Sequence, residues 1–294
     1  MAFERCFSDD DIKTLIGMDD FQKHLKPDIV GIDYSPVVFP AVRKDSMCFY
    51  HEGGCLLSFA GTRFETHLKH ATPTNSDCEG SSATDIDPQA VAGFMESYEC
   101  IKENCSSHSK RERKELSKIH GHFSCAKYDS TDDVVVLDIE ICLTQDSRQH
   151  TIDLLLFNTK TLMLRFFEAK GYWNPAISAK GKPKVVDQMN RYQDQLNVTD
   201  DVRNVMFTNY REHVTIINKL FKPETDLPLP QFIDPVPRLL IVGCDDERKL
   251  KLADKVARLE DDYQLHVYSI GDIKEVESSA LFTGGGRWPA APAK

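Results

Sequence analysis

Apolar residues along this chain recur with two different periods. Between residue 1 and about residue 75, short apolar runs (PDIVGIDYSPVVFP, MCFYHEGGCLLSF, TRFETHLKHA) alternate with turn residues, which predicts short strands. Glu52-Gly53-Gly54, set between two alternating segments, predicts a β-hairpin. Residues 72–88 (TPTNSDCEGSSATDIDP) hold almost no large apolar side chain and read as a linker. From Pro88 to about His120 the spacing becomes helical, first in QAVAGFMESYECIKEN and then in the heavily charged SKRERKELSKIHGHF. Three strand-length runs follow: DVVVLDIEICL (133–143), HTIDLLLFN (150–158) and TLMLRFFEAKGY (161–172). Their near-continuous apolarity predicts burial on both faces. After the loop ISAKGKPK come a helix, VVDQMNRYQDQL, and a second over about 200–221. A Pro-rich stretch (223–237) then leads to a strand in PRLLIVGCD, a helix in ERKLKLADKVARLEDD, a last strand in YQLHVYS and a tail, TGGGRWPAAPAK.

This order predicts an α/β (α+β) fold, a mixed sheet flanked by helices, with a smaller β-rich N-terminal region. The expected divisions are 1–75 for that region, 76–104 for linker and helix, 105–275 for the main domain and 276–294 for a flexible tail. With 294 residues, 41% hydrophobic and 28% charged, the composition is ordinary for a globular protein. No window approaches roughly eighteen consecutive apolar residues, and MAFERCFSDDD has neither a basic nor an apolar leader segment. A soluble intracellular protein, cytoplasmic or nuclear and without a membrane partner, is the expectation. Nine cysteines without a CxxC pair favour a reducing compartment, and His120, His122 and Cys125 match no zinc spacing. The formal net charge of −10 argues against a non-specific nucleic-acid coat protein. It leaves room for an enzyme with a local basic lining.

The chemistry gathers in IDLLLFNTKTLMLRFFEAK. If the turn around Asn158 to Thr161 is even-numbered, Asp153 shares a sheet face with residues 166, 168 and 170. A two-residue loop, Lys160-Thr161, sets Asp153 directly opposite Glu168; a four-residue loop sets them diagonally. Charged residues on buried strands are costly unless paired or bound to metal, so two carboxylates and Lys170 at one place call for an explanation. Hard oxygen ligands suit Mg²⁺ or Mn²⁺, which acidifies water and neutralises charge on a phosphate, with Lys170 positioning or helping to deprotonate that water. The string ExK occurs three times, at Glu112/Lys114, Glu168/Lys170 and Glu247/Lys249. Only the middle copy closes an apolar strand preceded by another strand bearing an Asp.

Here the sequence resembles the PD-(D/E)xK nuclease superfamily over roughly residues 105–270, with Ile152-Asp153 in place of the Pro-Asp pair. Gln188 and Tyr192, four apart and so on one helical face, resemble the QxxxY helix of its RecB-type members. The resemblance implies a restriction-endonuclease-like core and a metal-dependent hydrolase of phosphodiesters, DNA in preference to RNA, with a homodimer as one possible assembly. It implies Asp153, Glu168 and Lys170 as the reacting set, assisted by Gln188 and Tyr192. A glutamate on the preceding helix, Glu112 or else Glu115, would join the metal shell, with Glu112 preferred, and Glu140 is a further candidate ligand beside Asp138. Lys180, Lys182, Lys184, Lys110, Arg111 and Arg113 are candidate phosphate contacts. A catalytically inactive nucleic-acid-binding or assembly module on the same fold is the competing expectation.

Overall fold

The computed structural model of the chain describes residues 3–31, 38–67, 70, 94–143, 151–178, 181–197, 199–273, 276, 279 and 282. The linker expected over 72–88, Lys180, and all of the expected tail except 276, 279 and 282 lie outside the described residues. Two compact units are present: Glu4–Asp129 with Glu212–Leu227, and Ser130–Arg211 with Pro228–Lys294 and the first three residues.

The N-terminal unit opens with helices, not with the strands expected for a β-rich region. Ser8 caps α1 (Asp9–Gly17), its Oγ accepting from the Asp11 amide at 3.1 Å, and three aspartates fill the positive first turn. A π-helical turn (Phe21–Leu25) runs into α2 (Lys26–Val30). Phe21, Leu25 and Ile29, four apart and fully buried, form its inner face. A four-stranded antiparallel meander follows in chain order: β1 (Val38–Arg43), β2 (Ser46–His51), β3 (Gly54–Ala60) and β4 (Arg63–Glu65). The expected hairpin is β2–β3, turning on Glu52 (φ 45°) and Gly53 (φ 82°). Two successive left-handed residues are what a two-residue turn with the twist of the flanking strands requires. Helices α3 (Phe94–His108) and α4 (Arg111–His122) lie against this meander, α3 on β2 and β3, and α4 on β1. The boundary between units therefore falls after Asp129, later than residue 105. His120 of α4 is 4% exposed, and its ring centroid lies 5.7 Å from that of Phe39 on β1.

The second unit is built on one mixed sheet, and the chain as a whole is of mixed α and β structure. Strands β5 (Val134–Ile141), β6 (Ile152–Asn158) and β7 (Met163–Gly171) form an antiparallel meander. Helices α5 (Lys184–Leu196) and α6 (Asp200–Phe221) come next, the residues of α6 from Glu212 onward belonging to the other unit. A short β8 (Phe232–Ile233) pairs with β7. Then β9 (Arg238–Val242), α7 (Asp246–Asp261) and β10 (Val267–Ile270) extend the sheet with parallel pairing, giving the order β10-β9-β7-β6-β5. Parallel neighbours need a crossover, which α7 supplies between β9 and β10. Leu154 to Phe157 and Leu239 to Val242 are at most 1% exposed, as strands covered on both faces should be. Among the described residues, no helix is long and apolar enough to cross a membrane.

Candidate active site at the β6–β7 hairpin

Asn158 pairs with Met163, so the loop of the β6–β7 hairpin is the four residues Thr159 to Leu162. The Asn158 carboxamide oxygen accepts from the amides of Lys160 (3.0 Å) and Thr161 (2.7 Å), and Leu162 takes a φ of 57° to re-enter the ladder. This loop is centred on Lys160 and Thr161, one residue later than a four-residue turn over Asn158 to Thr161. Its register, Leu154 with Phe167 and Leu155 with Phe166, extends by one step to set Asp153 directly opposite Glu168. Asp153 Oδ2 accepts from the Ala169 amide at 2.8 Å, which ties the carboxylate to β7.

Glu168 is 1% exposed. Its Oε1 accepts from Lys170 Nζ and, at 2.6 Å, from Gln188 Nε2. Lys170 Nζ also donates to the Ala169 carbonyl at 3.1 Å and lies 4.0 Å from Asp153 Oδ2. One ammonium thus stands between two carboxylates. Glu168 Oε2 is buried and receives no protein donor. Burial raises the Glu168 pKa well above the ordinary 4.5; the Asp153 carboxyl adds to this, and Lys170 offsets part of it.

Helix α5 closes the site from one side. Gln188 Nε2 donates to Tyr192 Oη at 2.8 Å, and Tyr192 donates to the Thr151 carbonyl at 2.6 Å, immediately before the strand that carries Asp153. Tyr192 is fully buried, and its pKa is raised by burial first and by the Glu168 charge next. The two residues share a helical face and form a bridge from Glu168 to the start of β6. Removing the Tyr192 hydroxyl leaves the Thr151 carbonyl without that donor. Tyr192→Phe is expected to lower stability by about 1–2 kcal/mol, measured by urea denaturation, while leaving Asp153 and Glu168 in place; an unchanged midpoint would contradict the bridge.

The other candidates are placed differently. Flanking pairs Ile139 with Leu154 and Ile141 with Ile152 put Glu140 across from Asp153, but Glu140 has a φ of 48°, which interrupts the alternation expected to put it on one face with Asp138. Asp138 is wholly buried and accepts from the Ile139 amide at 2.8 Å, whereas Glu140 is half-buried. Among the described residues, no group of three or more His, Cys, Asp or Glu is disposed to hold a metal ion, so Asp153 and Glu168 come together without a third such ligand. Glu112 is in the first turn of α4, in the N-terminal unit, and Glu115 pairs with Lys118 on that helix at 2.7 Å. Of the other ExK strings, Lys114 faces Glu52 at 3.4 Å, and Glu247 pairs with Lys251 on an exposed face of α7. Lys182 pairs with Asp187, and Lys184 is exposed.

One feature beside the site had no assignment from sequence. Gly171 ends β7 and Gly243 (φ 69°) follows β9, and both lie against the Trp173 indole: a Cβ at Gly171 would come within 2.6 Å of it, and one at Gly243 within 3.2 Å. The Asn174 side chain then caps the short turn Pro175–Ile177, accepting from the Ala176 amide at 2.9 Å. The Gly-Tyr-Trp-Asn-Pro string is therefore the exit of β7, folded back on two glycines. Comparison of the chain with protein-family models, curated proteins and solved structures finds no match.

Proposed function

We propose that this chain is a divalent-cation-dependent nuclease of the PD-(D/E)xK type, hydrolysing phosphodiester bonds of DNA. The observation that carries the reading is the pairing of Asp153 with Glu168 across the hairpin, with Lys170 Nζ between them and Glu168 Oε2 buried without a donor. An acceptor oxygen buried in that state is costly, and a hard cation satisfies it. Two carboxylates on adjacent strands fit Mg²⁺ or Mn²⁺ as its protein ligands, leaving the other positions to water and substrate oxygens. Bound there, such a cation acidifies water and neutralises charge on the phosphoryl group. Asp153 and Glu168 hold the cation; Lys170 orients the attacking water and stabilises charge that develops on the scissile phosphate. Gln188 keeps Glu168 oriented through its bond to Oε1, and Tyr192 holds Gln188. The β5–β7 meander continued by parallel β9, with α5 laid against the site, supports a restriction-endonuclease-like core.

A second reading is a non-catalytic binding module of the same fold. Lys170 already neutralises Glu168 without a metal, which is the state such a module would keep. The test between the two is a panel of linear, circular, single-stranded and flapped DNA incubated with Mn²⁺ or with EDTA. Cleavage only with the cation is expected, together with calorimetric Mn²⁺ binding that weakens at least about tenfold in Asp153→Asn. Cation-independent cleavage, or Mn²⁺ binding unaltered in Asp153→Asn, would refute the assignment.

A further inference from the structure

The sheet face opposite Glu168 carries a second charged cluster that none of the chemistry above uses. Register and alternation assemble it across three neighbouring strands. Phe167 pairs with Arg238, so Arg165, Phe167 and Arg238 project from the face that Glu168 and Leu239 do not. Leu239 pairs with Val267, which sets His266, immediately before β10, beside Arg238 on that same face. Asp234 follows β8 and is tied to β7 through its amide, which donates to the Leu164 carbonyl at 2.8 Å. All four belong to the second compact unit.

One oxygen holds the two arginines together. Asp234 Oδ2 accepts from Arg165 Nε at 2.9 Å and from Arg238 Nη2 at 3.0 Å, while Oδ1 accepts from the Val236 amide at 3.0 Å. Phe282 fixes Arg165 from above: its ring centroid lies 4.1 Å from the guanidinium carbon, and its carbonyl accepts from Nη1. Arg238 Nη1 donates to the Val236 carbonyl at 3.1 Å. Arg238 Nε is buried and has no acceptor among the described residues. Neither guanidinium can shed its proton, so two permanent cations share one carboxylate and one donor is left over. That is a costly arrangement for side chains only 11–14% exposed, unless an anion completes it. His266 is exposed at the rim of the cluster. Its pKa is lowered from 6.5 by partial burial first and by the Arg238 charge next; Arg165 adds to this and Asp234 offsets part.

We propose that this cluster binds a phosphate dianion, held by the donors of Arg165 and Arg238 that Asp234, Val236 and Phe282 do not use and by the His266 imidazole. Guanidinium groups take phosphate oxygens through charge-assisted hydrogen bonds, which are stronger where water is largely excluded. A tetrahedral dianion uses several donors at once and matches the positive excess better than a singly charged diester does. Inorganic phosphate and the terminal phosphate of a monoester present the same chemistry. The site is on the other face of the sheet from Asp153 and Glu168 and does not rest on cleavage.

The test is calorimetry and thermal melting of the full chain near neutral pH in EDTA, at constant ionic strength, with inorganic phosphate, glycerol 3-phosphate, dimethyl phosphate and chloride. Saturable binding of inorganic phosphate is expected, at least about tenfold tighter than dimethyl phosphate. The melting temperature should rise with phosphate and not with matched chloride. Arg238→Lys keeps a charge beside Asp234 but removes Nε, and should weaken phosphate binding at least about tenfold. His266→Gln, altered at an exposed position, should weaken it by a smaller factor while leaving the melting temperature without phosphate unchanged; it decides the matter if Arg238→Lys does not fold. Tighter binding of glycerol 3-phosphate than of inorganic phosphate assigns the site to a terminal phosphate, and weaker binding assigns it to the free ion. No saturable phosphate binding, equal binding of dimethyl phosphate, or affinity unaltered in either folded variant overturns the proposal.

Discussion

Glu168→Gln is expected to make the cation-free protein more stable at neutral pH and, in the same step, to lower cleavage by roughly 10²–10⁴-fold. The stability half follows from the raised pKa of Glu168. A native group with a raised pKa holds its proton more tightly than the unfolded chain does. Below the ordinary value of 4.5 both states are protonated and there is no penalty. As pH rises through that value the unfolded chain ionises first, so stability falls until the native carboxyl ionises as well. Glutamine removes this loss. Its carbonyl can accept from Gln188 and Lys170 as Oε1 does now, and its NH₂ can donate to the Asp153 carboxylate, which is within hydrogen-bonding reach of the Glu168 carboxyl. A gain of about 1–3 kcal/mol near pH 8 in EDTA, the scale of relieving one unsatisfied buried polar group, is expected. Adding Mn²⁺ should raise the melting temperature of the wild type and leave the variant unmoved. A variant less stable than wild type at pH 8, with the same dependence on pH, would show that Glu168 is an ordinary ion-pair partner of Lys170.

A substitution that stabilises a protein while removing its activity is the signature of a site held in an unfavourable state for function. A well-made structural ion pair behaves in the opposite way, since breaking it leaves a buried charge without its partner. Glu168→Gln therefore separates a carboxyl held in an unfavourable state from an ordinary structural ion pair without the substrate being known.

Much of this site could be read from the sequence because it depends on local rules. The period of two along β6 and β7, and the parity of the turn at Lys160 and Thr161, are enough to bring Asp153 and Glu168 onto one face. The spacing of four does the same for Gln188 and Tyr192 on α5. What depends on tertiary contact was less legible. Glu140 is a candidate ligand on the plain alternation that places it beside Asp138, and the left-handed φ that interrupts this alternation is invisible in composition. The helices at residues 9–30 did leave a signal, in Ser8 before three aspartates and in the spacing of Phe21, Leu25 and Ile29; the turn-rich segments that follow drew the region toward a β reading. The unit boundary could not be found from a linker at all. It follows from α3 and α4 lying on the first meander, a choice of partner that amphipathicity alone does not make.

His120 gives the largest stability effect expected outside the site, and its sign is opposite to that of Glu168. The ring is buried on α4 against Phe39, its Nε2 has no hydrogen-bond partner, and desolvation lowers its pKa from 6.5 to about 3. A native imidazole with a lowered pKa binds a proton less readily than the unfolded chain. Its contribution is intact above pH 6.5 and is lost as pH falls from there toward 3. The full loss is on the order of 5 kcal/mol, a large part of the stability of a typical domain. Denaturation of wild type and His120→Leu between pH 8 and pH 3.5 measures it. The variant should hold its stability through the upper half of this range, where carboxylates are still ionised and the wild type is already declining. His51, also buried and also shifted down, remains in the variant, so a shallower decline persists. Parallel curves for the two proteins would mean that His120 takes up its proton in the folded chain, and that the packing of α4 on β1 opens readily enough to let it.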